Sequence, residues 1–279
     1  MIPSQVAYAK PNTLKEALDL IAKLGDDCKI LAGGHSLIPV MKLRLNDPEN
    51  LVDISQLEEL KGIHENDNEI TIGACATHGE IMNNVALKKH APLITFGASH
   101  VGDRQVKNFG TIGGSIAHAD PAADWPGILL AADATIEVQS ASGKRAIPVD
   151  DFFQGLFMTA VEDGEMITAI RIPKTEANAN SAYAKFDQPA SKFALVGCAV
   201  AVESGGTARI AYNGVASKPF RDKTLEAALN GKSLSPEIIK SATYSVADGV
   251  NVMSDHFASA DYRKQMAAVY TRRALQSLI

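Results

Sequence analysis

The chain has 279 residues, of which 46% are hydrophobic and 21% charged, with a formal net charge of -5. That is enough apolar material for a packed core in one large domain or two modest ones. The mildly acidic balance argues against a nucleic-acid binder, which carries a basic face. No apolar run approaches the roughly 20 residues of a membrane-spanning helix.

In chain order, Met1 to Gln5 show no charged segment leading into an apolar run, so a secretory leader is not expected. Thr13 is placed to cap a helix over Leu14 to Leu24, with Glu16 completing a capping box and Gly25 stopping it. Cys28 to Ala32 reads as a short buried strand that runs directly into Gly33-Gly34-His35-Ser36. Leu51 to Ile54 and Glu69 to Gly73 are further strands. Thr77 with Glu80 forms a second capping box, opening a helix through about Lys89, and Ala91 to His100 is also helical. Gly110 to Asp124, rich in Gly, Pro and small residues, is expected to be a loop. Pro121 to Ala131 can form a helix, since proline suits a first turn. Alternation from Ala134 to Ser140 predicts a strand followed by a turn at Ser142-Gly143, and Glu165 to Ile172 another strand ending at Pro173.

The segment Pro173 to Asn180 is polar and aperiodic, so the chain is divided near residue 175. Beyond it lie strands near Ala182 to Asp187, Phe193 to Glu203 and Ala208 to Val215. Helices follow near Pro219 to Asn230, Pro236 to Val246 and Ser259 to Leu278. Strands followed by helices suggest a separate α+β domain. Cys28, Cys75 and Cys198 are widely separated, which argues against a disulfide framework and fits a reducing compartment. With no CxxC and no zinc spacing, no iron–sulfur cluster or metal is expected on this chain.

Two glycine-rich segments carry the chemistry. The first is Ala32-Gly33-Gly34-His35-Ser36-Leu37; the second is Gly110-Thr111-Ile112-Gly113-Gly114-Ser115, continuing to Asp124. Paired glycines let backbone N–H groups approach a ligand closely. Successive N–H groups in such turns form concave anion sites suited to a pyrophosphate. Ser36, Thr111 and Ser115 add hydroxyls, and Asp124 can accept from sugar hydroxyls. Neither loop is GxGxxG or GxxxxGK[ST], so a Rossmann or triphosphate-binding reading is poorly supported. Arg44, Arg104 and Lys107 lie in or beside these motifs, and are read equally as neutralising a diphosphate, as ties to other subunits or as solvated surface charge.

LAGGHSLIPVMKLRL (31–45) and VGDRQVKNFGTIGGSIAHADPAADWP (101–126) closely resemble the flavoprotein subunits of the carbon monoxide dehydrogenase/xanthine dehydrogenase family of molybdenum hydroxylases. LVDI (51–54), IGACATH (72–78), DFFQGLFMTA (151–160), EMITAIRIP (165–173) and SAYAKF (181–186) match in the same order, so the likeness runs through nearly the whole chain. His35 moves the match toward the carbon monoxide dehydrogenase branch.

The resemblance implies an α+β chain. A PCMH-type, vanillyl-alcohol-oxidase-like FAD-binding domain would cover 1–174, with subdomains of about 1–55 and 56–174. A C-terminal α+β domain of the carbon monoxide dehydrogenase flavoprotein type would cover 175–279. It further implies non-covalent FAD held by Ala32, Gly33, Gly34, His35, Ser36 and Leu37 on one side of the diphosphate. Thr111, Ile112, Gly113, Gly114 and Ser115 would lie on the other, with Asp124 and Val101 against the cofactor. Ile167 and Lys185 would lie near the isoalloxazine ring, and Phe193 near its face. No acid, base or nucleophile is expected on the chain. Electrons would arrive from two [2Fe–2S] clusters of a small subunit, fed by a large molybdopterin subunit, in a dimer of heterotrimers. The setting would be cytoplasmic or peripheral to the inner face of the membrane. Two alternatives stay open: a self-sufficient flavin oxidase of the same fold, with His35 as a covalent attachment point, and a xanthine, nicotinate or aldehyde type of dehydrogenase.

Overall fold

The computed structural model describes residues 2–175 and 179–279. Part of the expected Pro173 to Asn180 boundary therefore lies outside the described residues, at 176–178.

The N-terminal layer is a three-stranded parallel sheet of β1 (Ala7–Ala9), β2 (Cys28–Leu31) and β3 (Asn50–Asp53), with β3 in the middle. Helix α1 (Leu14–Leu24) buries Ala17, Leu18 and Ile21 on one stripe, in a core shared with Val52, Leu57 and Leu60. Thr13 caps α1 as expected, accepting from the Glu16 N–H at 3.1 Å. The Glu16 carboxylate instead reaches back to the Asn12 N–H at 2.8 Å, so the capping box is only half formed. Between β2 and β3 sits the short helix α2 (Leu37–Lys42), which the sequence reading did not anticipate.

A five-stranded antiparallel sheet follows, in the order β4 (Ile63–Glu65), β5 (Glu69–Gly73), β10 (Met166–Pro173), β6 (Thr135–Ser140), β7 (Gly143–Pro148). The expected helix through Lys89 is two helices, α3 (His78–Asn83) and α4 (Val85–His90). Asn84 breaks it because its side chain accepts from the Leu87 N–H at 2.9 Å and so caps α4 while its own backbone is extended. Helices α5 (Pro92–His100), α6 (Arg104–Phe109), α7 (Ile112–His118) and α8 (Asp124–Ala131) come next. The expected loop over 110–124 thus contains α7, whose N-cap Thr111 accepts from the Gly114 N–H at 3.2 Å. The helix expected from Pro121 starts only at Asp124, because Asp120 folds 120–123 into a turn, accepting from the Ala122 N–H at 2.9 Å. The short helix α9 (Val149–Phe152) and the hairpin of β8 (Phe153–Gly155) and β9 (Met158–Thr159) complete this region.

The C-terminal sheet is antiparallel, in the order β11 (Asn180–Asp187), β12 (Ala194–Val202), β13 (Ala208–Asn213), β14 (Phe220–Arg221). Helices α10 (Lys223–Leu229), α11 (Pro236–Ala242) and α12 (Ala260–Gln276) follow. The first two of these helices are shorter than expected. Pro219 to Arg221 enters β14, with Asp222 capping α10, and a 3-10 turn over Thr243–Ser245 ends α11.

Strand β12 shows why the two halves join. Val196, Cys198 and Val200 point to the core under the C-terminal helices, whereas Ala199 and Ala201 face the main core with Trp125, Ile128 and Leu129. Alternation of two puts these sets on opposite faces. Helix α8 is buried along its whole length, packed on β12 and β13 of the C-terminal sheet and on α5. Gly127 lets it approach: a Cβ there would meet Asn213 Oδ1 at 2.8 Å.

Candidate functional site

The two glycine loops meet at a cavity of about 870 Å³ that reaches from α1 and β2 to the front of the C-terminal sheet. Gly33 is the point of contact. A Cβ at Gly33 would lie 2.0 Å from the Phe109 carbonyl oxygen, so only glycine allows this approach. His35 braces the same joint: its Nδ1 lies 2.8 Å from the Gly33 carbonyl oxygen, and its ring stacks on Phe109 at 5.9 Å and 10°.

The loops differ in what they leave free. In the second, the Ile112 and Gly113 N–H groups donate to the Ala76 and Ala74 carbonyls at 3.1 and 2.9 Å. Gly114 donates to the Thr111 hydroxyl and Ser115 to the Thr111 carbonyl. In the first, the N–H groups of Gly33, Gly34, His35 and Ser36 have no protein acceptor among the described residues. The Ser36 hydroxyl does not cap α2. Unpaired donors of this kind are costly unless water or a ligand accepts from them. Gly34, at φ +70°, turns the chain so that these donors fall in succession, the pattern of a concave anion site.

Of the residues expected in the site, Ala32 through Leu37, Val101, Thr111, Gly113, Gly114, Ser115, Asp124 and Ile167 all line the cavity, as does Phe193. Ile112 does not: it is fully buried in the main core and anchors α7. Lys185 stands behind Asp124 rather than on the cavity wall, its Nζ 2.9 Å from Asp124 Oδ2 and 3.1 Å from the His100 carbonyl oxygen. Arg44 and Arg104 are exposed and, like Lys107, lie off the cavity wall.

Asp124 is 5% exposed. Tyr183 donates to its Oδ1 at 2.6 Å, so a helix of the N-terminal part is bound to β11 through one carboxylate. Burial pushes the Asp124 carboxyl up, against the pull of Lys185 and of the Tyr183 hydroxyl. Behind this cluster, Gly197 leaves room for Asn213, whose Oδ1 a Cβ there would meet at 2.3 Å.

Sequence reading missed several wall residues: the stretch Val161 to Met166, Phe157 at the β8–β9 turn, and the pair His78 and Trp125. Phe157 holds φ +54° and is 52% exposed, with His118 5.2 Å from its ring. A bulky residue at positive φ is uncommon and marks a position held by its surroundings. Lys192, at φ +63°, stands beside Phe193 at the opposite rim.

His78 is 3% exposed, and its Nδ1 accepts from Trp125 Nε1 at 3.2 Å. Burial, with lesser contributions from His35 and Lys107, pushes its pKa down to about 4. The folded state therefore holds His78 neutral while the unfolded chain, near the ordinary 6.5, takes up a proton first. Its contribution to stability is complete above the unfolded value and is lost as pH falls from about 6.5 to about 4. The expected loss is on the order of 3 kcal/mol. Urea unfolding across this window checks it: a His78→Gln chain, which keeps an acceptor for Trp125, should decline less steeply than the wild type. Equal slopes would remove His78 from the account.

Comparison with known proteins agrees with this geometry. Residues 4–175 match the family described as the FAD binding domain in molybdopterin dehydrogenase. Residues 181–278 match the CO dehydrogenase flavoprotein C-terminal domain. The chain is 37% identical to the glyceraldehyde dehydrogenase medium chain of Sulfolobus acidocaldarius, covering 100% of both chains. It is 36% identical to the carbon monoxide dehydrogenase medium chain of Hydrogenophaga pseudoflava, over 99% of this chain and 98% of that one. The solved carbon monoxide dehydrogenase from Hydrogenophaga pseudoflava lacking the Mo-pyranopterin moiety superposes with a TM-score of 0.95 at 38% identity, covering 100% of this chain and 98% of that chain. The chain belongs to the FAD-binding medium-chain family of the molybdenum hydroxylases, alongside the medium chains of carbon monoxide dehydrogenase.

Proposed function

We propose that this chain is the electron-passing FAD subunit of a three-subunit molybdenum hydroxylase. The single observation that carries the reading is the row of free N–H donors from Gly33 to Ser36, set in a cavity large enough for a dinucleotide-sized ligand. Four successive donors suit the diphosphate of FAD. On this reading Ala32 to Leu37 hold the diphosphate, and Ser115 and Thr111 offer hydroxyls to the ribityl chain. Gly113 and Gly114 keep the wall low, and Ile112 fixes α7 from the core side. Val101 and Ile167 pack against the ring, while Lys185 fixes the Asp124 carboxylate that borders it.

FAD, when bound, supplies the chemistry of accepting electrons singly from iron–sulfur centres and releasing them in pairs. The chain's own residues bind and orient; among the described residues, no group at the cavity is arranged as a nucleophile with an adjacent base. A large molybdopterin subunit and a small [2Fe–2S] subunit would complete the assembly, as a dimer of heterotrimers. The three buried free thiols suit a reducing, cytoplasmic setting, whether in solution or peripheral to the membrane. Relatives named for glyceraldehyde and for carbon monoxide match equally well, so no substrate is assigned.

The test is a visible spectrum of the purified chain with and without added FAD, followed by acid precipitation. The expected result is a flavin spectrum with FAD released to the acid supernatant. Flavin retained in the pellet would favour a covalent oxidase with His35 as the attachment point. No flavin in the chain, alone or with its partner subunits, would sink the reading.

A further inference from the structure

Lys107 is a cation without a matching anion beside the cavity. It lies on α6, half-buried, and its Nζ donates to the Gly102 carbonyl oxygen at 3.1 Å. It makes no ion pair among the described residues. The neighbouring ammonium, Lys185, donates to the His100 carbonyl two residues upstream and takes Asp124 as its partner. Two ammonium groups thus hold the segment 100–102 from behind, and the buried Asp124 carboxylate pairs with Lys185 alone. Asp103 is exposed and spends its carboxylate on the Val106 N–H at 2.9 Å as the cap of α6. Val101, Gly102, Val106 and Asp124 form the cavity wall on this side. Burial, and then Lys185, hold the Lys107 ammonium below the ordinary lysine value, while Asp103 and Asp124 pull the other way.

A half-buried charge with only a carbonyl partner is incompletely compensated. The missing negative charge is one that a ligand in the cavity can provide. Oxidised FAD carries its charge on the diphosphate and none on the ring. FAD that has taken up two electrons and one proton carries one further negative charge, on the ring. A cation near the ring stabilises that form more than the oxidised one, and the stabilisation is strong where water is excluded.

We infer that Lys107 is a positioning charge that stabilises the reduced form of FAD and so sets its reduction potential. This rests on the FAD reading above, in which the wall at Val101 and Asp124 borders the ring. If Lys107 instead served the diphosphate, whose charge does not change on reduction, both forms would weaken alike and the potential would stay put.

The experiment reduces the FAD-loaded full chain with dithionite, in equilibrium with a reference dye, and compares wild type with Lys107→Met, Lys107→Gln and Lys107→Arg. FAD affinity is read in parallel by fluorescence. The expected result is a lower potential in the Met and Gln variants. A roughly tenfold greater loss of affinity for reduced than for oxidised FAD corresponds to about 30 mV for a two-electron couple. The Arg variant should stay close to wild type. Gln keeps a donor for the Gly102 carbonyl, so it reports the charge even if Met perturbs the helix. Unchanged potentials in both neutral variants, or an equal fall in the Arg variant, would overturn the inference. A wild-type chain that holds no FAD, alone or with its partner subunits, would overturn the functional reading itself, a result distinct from either.

Discussion

Gly33→Ala is expected to strip FAD from the chain while leaving its secondary structure in place. The added methyl carbon would stand 2.0 Å from the Phe109 carbonyl oxygen and 2.8 Å from its carbon, both backbone atoms that cannot swing aside as a side chain can. Either the first loop lifts away from α6, carrying the free amides of Gly33 to Ser36 out of line, or the segment before Thr111 moves and loosens α7. Overpacking of this kind costs about 1–3 kcal/mol, roughly a ten- to hundredfold loss of affinity if it falls on the bound state. Gly34→Ala is the control for simple backbone strain. Its residue sits at φ +70° but would meet side chains and no backbone, Ile38 at 3.1 Å and Leu31 at 3.5 Å, so its penalty is mainly the left-handed conformation, of order 1 kcal/mol. FAD content after desalting, read against circular dichroism, separates the two. A Gly33→Ala chain that retains FAD as tightly as wild type would mean that the apposition of the two loops does not shape the site.

The glycines were legible in the sequence, but their division of labour was not. Both segments carry Gly-Gly followed by a hydroxyl, and the local pattern assigns them the same role. The structure separates them through carbonyls far away in the chain: Ala74 and Ala76 take up the amides of Gly113 and Ile112, so the second loop becomes a helix start. Helix α7 was misread as loop for the same reason. Two adjacent glycines weaken any local helix signal, and what restores it is the Thr111 cap together with the close packing of Gly113 on Ala74, where a Cβ would sit 2.6 Å from the Ala74 oxygen. Caps that act within a few residues were read correctly, at Thr13 and Thr77. Partnerships over long separations were not. Trp125 with His78, and Lys185 with Asp124, each join residues whose sequence surroundings give no hint of the other. The cavity wall from Val161 to Met166 belongs to this class too, since nothing local marks those residues as facing a ligand.

Asp124→Asn is expected to be the most damaging single change at the joint between the two halves. Among the described residues the carboxylate is the only buried anion beside Lys185, whose side chain is itself 3% exposed. Asparagine keeps an acceptor for Tyr183 but turns an amide, a donor, or an uncharged oxygen toward the ammonium. Removing one partner of a buried pair costs about 3–5 kcal/mol, a fall of roughly 10 °C in Tm for a chain of this size. The damage comes mostly from the stranded Lys185 charge, which predicts the outcome of the double change. Asp124→Asn with Lys185→Met should recover a large part of the loss, because an apolar pair of similar volume is often no worse than a buried ion pair. Recovery of stability without recovery of FAD affinity would assign the pair a second role, holding the wall at Val101 and Ala123 in the shape the cofactor needs. Strictly additive losses in the double variant would mean that Asp124 and Lys185 act independently, and the latch between α8 and β11 would have to be sought in Tyr183 alone.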